Sequence, residues 1–388
     1  MSHLMTTYKR LPVTFSDGQG SWLVDDQNNR YLDALTGIAV NSLGHNHPAV
    51  TSALKEQLEK LVHVSNIYTI AQQEKAGDLI CEVSGMDRVF FCNSGAEANE
   101  GLIKLSRLHA RRKQIENPQV IVMEGAFHGR TMATLAATGN EKVKIGFEPL
   151  MPGFIRVPYN DIEAIRALSK NPDIVAVLLE TVQGEGGVLI ADLPYLRDVR
   201  NICNENNWLM MIDEIQTGLC RTGKWFGFQH ADITPDAISM AKALGNGIPI
   251  GAFAARGVAA TYFHPGQHGT TFGGSPFACR AVIAVIETMK KENMAEKAAR
   301  ASQLLADQLT KALSHLSGIK TIRHFGMMVG IVLDKDCPEL VETALAEKLL
   351  INVTAGNIIR LLPPLNMTDD EIGELASRLT RAIQIFYS

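Results

Sequence analysis

Residues 208–251 read WLMMIDEIQTGLCRTGKWFGFQHADITPDAISMAKALGNGIPIG, and this stretch decides the fold. Residues 208–212 are a short apolar run that stops at two acids, Asp213 and Glu214. Such a run predicts a buried strand with Asp213 at its carboxyl end. In open α/β sheets, ligands sit outside that end. Lys242 follows among small and apolar neighbours: Ser239, Ala241, Ala243, Leu244 and Gly245. Burying its cation is costly, so its pKa should fall and its amine become nucleophilic.

A lysine and an aspartate delivered to one pocket suit pyridoxal phosphate. The amine makes the covalent link, and the carboxylate keeps the pyridinium nitrogen protonated so that the ring can accept electrons. Taken alone, the two residues favour a plainer reading, a solvated surface lysine and a capping aspartate. Residues 218–224, GLCRTGK, satisfy G-x-x-x-x-G-K. Trp225 stands where a P-loop needs Ser or Thr, and the segment follows DEIQT instead of joining a strand straight to a helix. Nucleotide binding is rejected.

At 388 residues the chain is long enough for two domains, or for one large α/β domain and a smaller one. Hydrophobic content of 46% with 20% charged residues predicts a well-packed core. A net charge of −4 offers no electrostatic footprint for nucleic acid. The longest apolar runs are too short for a membrane span, and MSHLMTTYKRLPV has no secretory pattern. Six cysteines scattered without C-x-x-C spacing read as reduced thiols of a cytoplasmic protein, not as a disulfide framework or zinc site. No metal site is expected; His45 and His47 lack partner ligands, and a loop role before Pro48 suits them better.

Before the central stretch, residues 15–20 read as a turn, with extended segments at 21–25 and 30–35. Helices are expected at 49–64, after Pro48, and at 74–83. Residues 89–92 (VFFC) predict a strand, 93–97 a turn, and 98–113 a helix; Ser94-x-x-Glu97 is a capping-box pattern. A helix start of that kind presents unpaired N–H groups and a positive dipole end, which suits phosphate. Strands at 119–123 and 174–179 and a helix at 193–206 continue the alternation, implying a mostly parallel sheet. A strand at 252–256 and a helix at 276–291 follow. From about residue 294 the pattern becomes a smaller α+β unit: helices at 294–316, 338–349 and 368–387, a strand region at 320–334 interrupted at Gly326, and a strand near 357–361. The expected divisions are 1–48 (an N-terminal arm joining the small domain), 49–293 (the large domain) and 294–388 (the small domain).

The motifs GIAVNSLGH, NSGAEANE, AFHGRT, GFEPLMPGF, ETVQGEGG, DEIQTG, AKALGNG and HGTTFGG together resemble the class III (subgroup II) pyridoxal-phosphate aminotransferases. The resemblance runs from about Asp17 to the end of the chain. It implies a fold type I α/β architecture, with a large domain around a mostly parallel central sheet and a smaller α+β domain. It also implies a homodimer. Lys242 would hold the cofactor and then shuttle the proton, Asp213 would pair with the ring nitrogen, and Gln216 would lie by the ring hydroxyl. Ser94, Gly95 and Ala96 would meet the phosphate, Phe127 would stack on the ring, and Thr271 would reach the phosphate of a neighbouring subunit. Arg130, Thr270, Glu185 and Arg360 would face substrate. Within the family the motifs are most similar to the branch that moves the terminal amino group of N-acetylornithine to 2-oxoglutarate, giving glutamate, in arginine biosynthesis. Related donors (succinylornithine, ornithine, 4-aminobutyrate, lysine-pathway amines) and a non-catalytic cofactor-binding protein are the alternatives. Ser275 departs from the family, where Asn is commoner, and little effect is expected.

Overall fold

The computed structural model describes residues 3–388. Seven strands form the central sheet: β1 (Arg88–Cys92), β2 (Gln119–Met123), β3 (Phe154–Val157), β4 (Ile174–Glu180), β5 (Leu209–Asp213), β6 (Ala237–Met240) and β7 (Gly251–Ala255). Their spatial order is β1-β7-β6-β5-β4-β2-β3. All neighbours are parallel except β7, which runs antiparallel to both β1 and β6. The reason is chain length. Only residues 241–250 separate β6 from β7, whereas a parallel crossover takes a dozen or more residues.

Every residue of β4 and β5 is buried, because both faces of the sheet are covered. Met210 and Ile212 enter one apolar cluster with Leu196 and Val199 of helix Leu193–Asn206. Leu209 and Met211, pointing the other way, enter a second cluster with Leu102 and Leu105 of helix Gly95–Arg112. Two-residue alternation on a doubly covered sheet therefore yields a continuous apolar run that ends abruptly where the strand leaves the core. Register sets Asp213 beside Glu180 on one side and Ser239 on the other.

A four-stranded antiparallel sheet, Ile319–His324, Val329–Leu333, Ile358–Leu361 and Asn352–Thr354 in spatial order, follows later in the chain. The expected 320–334 region is folded back at Gly326, whose φ is +60° and whose missing Cβ makes room for the backbone of Arg221 and Thr222. Near the start of the chain, Phe15–Gln19, Trp22–Asp25 and Arg30–Asp33 form an antiparallel meander, and Leu349–Leu350 adds to it in parallel. One apolar cluster extends from Leu32 through the large sheet to Ile383. Arg221, fully buried, ties these segments together. It donates to the carbonyls of Met327 at 3.1 Å and Pro363 at 2.5 Å, and to Ser42 Oγ at 2.9 Å.

Two element expectations need correction. Residues 15–20 are not a turn: Phe15–Gln19 is a strand, and the reversal comes at Gly20, φ +58°. Asp17-Gly18 misled because it has turn composition, yet Gly18 is small so that Leu23 and His45 can pack on it. The helix expected over 49–64 is Pro48–Leu58, and Gln57 Nε2 closes its end by donating to the Leu61 carbonyl at 2.7 Å. Leu61 and Val62 continue the apolar pattern but are exposed, so periodicity overran the helix.

Candidate active site

A cavity of about 460 Å³ opens where β4, β5 and β6 end. Of the residues singled out from sequence, Ser94, Gly95, Ala96, Phe127, Arg130, Glu185, Asp213, Gln216 and Lys242 line it. Arg360 reaches the same place through Glu185. Thr270 and Thr271 do not line it; they border a separate surface recess with Phe272 and His268.

Asp213 is nearly fully buried at the end of β5. Its Oδ2 accepts from Asn99 Nδ2 at 2.7 Å and His128 Nδ1 at 2.9 Å, and its Oδ1 accepts from the Ile215 N–H at 3.0 Å. Burial alone would raise its pKa. The hydrogen bond and attraction of His128, with Asn99 and the Ile215 N–H, outweigh burial and hold the carboxyl below its ordinary value. The site thus keeps a carboxylate ionised while out of water.

Lys242 begins a single 3-10 turn, Lys242–Leu244, directly after β6, with φ at +46°. A non-glycine residue in that region is strained and persists only where its surroundings hold it. The Leu244 N–H to Ala241 carbonyl bond at 2.9 Å and the Gly245 N–H to Lys242 carbonyl bond at 3.2 Å do so here. Burial, and then the nearby Arg360 charge, lower the lysine pKa to about 8, against the opposing pull of Glu185 and Asp213. The free amine, the nucleophilic form, is therefore far more populated near neutrality than in an ordinary lysine.

Helix Gly95–Arg112 starts at the cavity wall. Ser94 caps it by accepting from the Glu97 N–H at 3.2 Å, and Glu97 reaches back to the Asn93 N–H at 2.5 Å. The N–H groups of Gly95 and Ala96, in the first turn, have no carbonyl partner within the helix. Gly251 lacks a side chain where the Ser94 carbonyl approaches, and Gly184 is bare where the Gln216 carboxamide lies. Phe127 also lines the cavity, with the Arg130 guanidinium 5.7 Å from its ring centroid.

Glu185 Oε1 and Arg360 Nη1 are 2.6 Å apart; the guanidinium is fully buried and the carboxylate about one-third exposed. Arg360 Nε donates to Asn352 Oδ1 at 3.1 Å, whereas its Nη2 is buried without a partner among the described residues. Sequence reading missed three residues that shape this site: Asn99 and His128, which grip Asp213, and Glu180, which lines the cavity and accepts from the Phe127 N–H at 3.1 Å. Glu180 carried the same signal as Asp213, an acid ending an apolar strand. His128 and Asn99 both lay inside quoted motifs, AFHGRT and NSGAEANE, without being singled out.

The chain matches the family model "Aminotransferase class-III" over residues 5–383. The chain belongs to the class-III aminotransferases. It is 51% identical to the acetylornithine aminotransferase of Nitrosomonas europaea, covering 100% of this chain and 98% of that protein. Among solved structures it superposes on an ornithine aminotransferase from Toxoplasma gondii with a TM-score of 0.95 at 32% identity, over 99% of this chain and 92% of that one. That structure is described as having partial occupancy of PLP at the active site. An acetylornithine aminotransferase from Elizabethkingia anophelis superposes with a TM-score of 0.88 at 33% identity, over 99% and 97% of the two chains. The expected fold type I α/β architecture and aminotransferase activity are therefore borne out.

Pyridoxal phosphate is the cofactor of class-III aminotransferases. The residues present fit it. A helix start with free N–H groups suits the phosphate, a buried ionised carboxylate suits a protonated ring nitrogen, and a buried amine suits the covalent link. Gln216 Oε1, buried in the cavity wall without a partner among the described residues, can accept from a bound group.

Proposed function

We propose that this aminotransferase moves the terminal amino group of N-acetylornithine to 2-oxoglutarate, yielding N-acetylglutamate semialdehyde and glutamate, as a step of arginine biosynthesis. The observation that carries the reading is the convergence of Lys242 and Asp213 on one cavity, in a chain 51% identical to an acetylornithine aminotransferase.

Lys242 would hold the cofactor through its amine, and as a free amine it would stand beside the substrate carbon that loses its proton and carry that proton. Bound there, pyridoxal phosphate supplies a sink for the electron pair which that carbon releases. Asp213, kept ionised by His128 and Asn99, holds the ring nitrogen's proton, and Gln216 faces the ring hydroxyl. Ser94, Gly95 and Ala96 bind the phosphate, and Phe127 covers the ring.

Arg360 and Arg130 provide forks for carboxylates. With the terminal-amine donor bound, Glu185 stays paired to Arg360; with glutamate or 2-oxoglutarate, it swings away and Arg360 takes the carboxylate beside the reacting carbon. Arg130 receives the distant carboxylate or acyl end, with Thr270, which lies outside the cavity of its own chain, supplied by a second copy. Thr271 completes the phosphate site of a second copy, so the working unit is a homodimer. No helix of the described residues is long and apolar enough to cross a membrane, in keeping with a cytoplasmic enzyme. The same reading divides the chain at 1–48, 49–293 and 294–388.

The likeness to ornithine aminotransferase structures favours ornithine as the second candidate donor. A half-reaction panel separates them: each donor is added to the loaded enzyme and the near-visible absorbance followed. N-acetylornithine should discharge the band fastest. A faster response to ornithine would reassign the donor.

A further inference from the structure

We propose that Glu180 is a positioning residue of this site that works as a neutral carboxylic acid, holding Phe127 against the cavity and leaving Asp213 as the ionised member of a two-carboxylate pair. The proposal rests on the cavity being the aminotransferase site. Glu180 and Asp213 are register partners at the ends of β4 and β5. Adjacent strands lie about 4.8 Å apart, so two acids are delivered side by side into one cavity. Two desolvated carboxylates that close do not both ionise.

The count of donors decides which one keeps its proton. Asp213 receives three hydrogen bonds, from Asn99, His128 and the Ile215 N–H. Glu180 receives one, from the Phe127 N–H, and forms no ion pair among the described residues. The groups around it come from every neighbouring element. Asp213 comes from β5, Lys242 from the turn after β6, and His128, on Asp213, from the segment after β2. Glu185, with Arg360 attached, follows β4, and Tyr159, after β3, donates its hydroxyl to the Glu180 carbonyl at 2.7 Å. Burial first, and then the Asp213 charge, hold the Glu180 carboxyl well above the usual carboxylate range. A neutral acid satisfies the backbone of Phe127 without adding a third negative charge beside Lys242, which keeps the cavity open to a dianionic amino acceptor. When Glu180 ionises at high pH, that advantage is lost.

The test is infrared difference spectroscopy, wild type minus Glu180→Gln, on the holoenzyme and on protein stripped of cofactor. At pH 7 a protonated-carboxyl band should be present in the wild type, absent from the variant, and titrate away as pH rises. A carboxylate band in its place at pH 7 overturns the proposal. Kinetics give an independent readout. Glu180→Gln keeps an acceptor for the Phe127 N–H and an uncharged side chain, so its kcat/KM at neutral pH should fall less than that of Glu180→Asp, and the alkaline rise in KM for 2-oxoglutarate should flatten. Glu180→Asp is too short to reach that N–H and should lose about tenfold in kcat/KM. Equal losses in the Gln and Asp variants would also overturn the proposal. The band in stripped protein does not depend on catalysis, so a failed half-reaction in the wild type would sink the aminotransferase reading separately.

Discussion

A lysine that must be uncharged to react is made so by where the chain puts it. Lys242 has its pKa lowered from 10.5 to about 8, so the unfolded chain binds more protons than the folded one between those values. Stability of the cofactor-free protein should therefore rise with pH across that window, as the penalty for burying the cation disappears. Urea denaturation of stripped wild type and Lys242→Met should show the variant more stable at pH 7 and the gap closing by pH 10; a gap that does not vary with pH would contradict the assignment. The pair of Glu185 and Arg360 makes a second claim at this scale. Removing Glu185 leaves a fully buried guanidinium that has lost its carboxylate, a change that costs roughly 3–5 kcal/mol in typical buried pairs. Glu185→Ala should slow the half-reaction with N-acetylornithine far more than that with glutamate, Arg360→Ala should do the reverse, and Arg130→Ala should chiefly raise the KM for N-acetylornithine. Equal losses in both half-reactions for Glu185→Ala, measured by single-turnover spectroscopy, would make it a structural residue of a Gly-rich turn.

Elements differ in how plainly the sequence announces them, and the site inherits that difference. Strands β2, β4 and β5 are readable because a doubly covered sheet demands unbroken apolar runs, and the abrupt acidic ends of β4 and β5 mark where the cavity opens. The start of helix Gly95–Arg112 is readable because Ser94 accepts from the Glu97 N–H while the Glu97 carboxylate accepts from the Asn93 N–H. Ser94→Ala should cost about 1 kcal/mol of stability by thermal denaturation and loosen the cofactor, measured by its release on dilution. Unchanged cofactor retention would remove the helix start from the phosphate site. What stayed illegible depends on tertiary placement. Asn99 points at Asp213 only because this helix packs across β5. The reversal of β7 follows from a short connection whose Lys242 turn has to be seen to be measured. Gly184 and Gly251 look like ordinary loop glycines until the Gln216 carboxamide and the Ser94 carbonyl are found against them.

Across the whole molecule, Arg221 joins the segment after β5 to Ser42 near the start of the chain and to Met327 and Pro363 near its end. Among the described residues it has no carboxylate partner, and burial lowers its pKa to about 9. Arg221→Ala strands three acceptors and leaves a void, so unfolding in urea should come about 3 kcal/mol sooner; an unchanged midpoint would refute the tie. Thr271 lies outside the cavity of its own chain, next to exposed Phe272, with Ile67 and Tyr68 also exposed. Such apolar exposure is what a symmetric dimer would cover. Sedimentation should give a dimer, and mixing Thr271→Ala with Lys242→Ala chains should change activity in a way that independent sites cannot; a fully active monomer would end the shared-site idea. The central claim, that Lys242 carries the cofactor in an amino-transfer site, meets its most direct test in one measurement: borohydride reduction of purified wild type and Lys242→Ala, followed by mass mapping of the trapped cofactor. The account predicts a single adduct on Lys242 in the wild type and none in the variant. An adduct on another residue, or one that survives in Lys242→Ala, would contradict it.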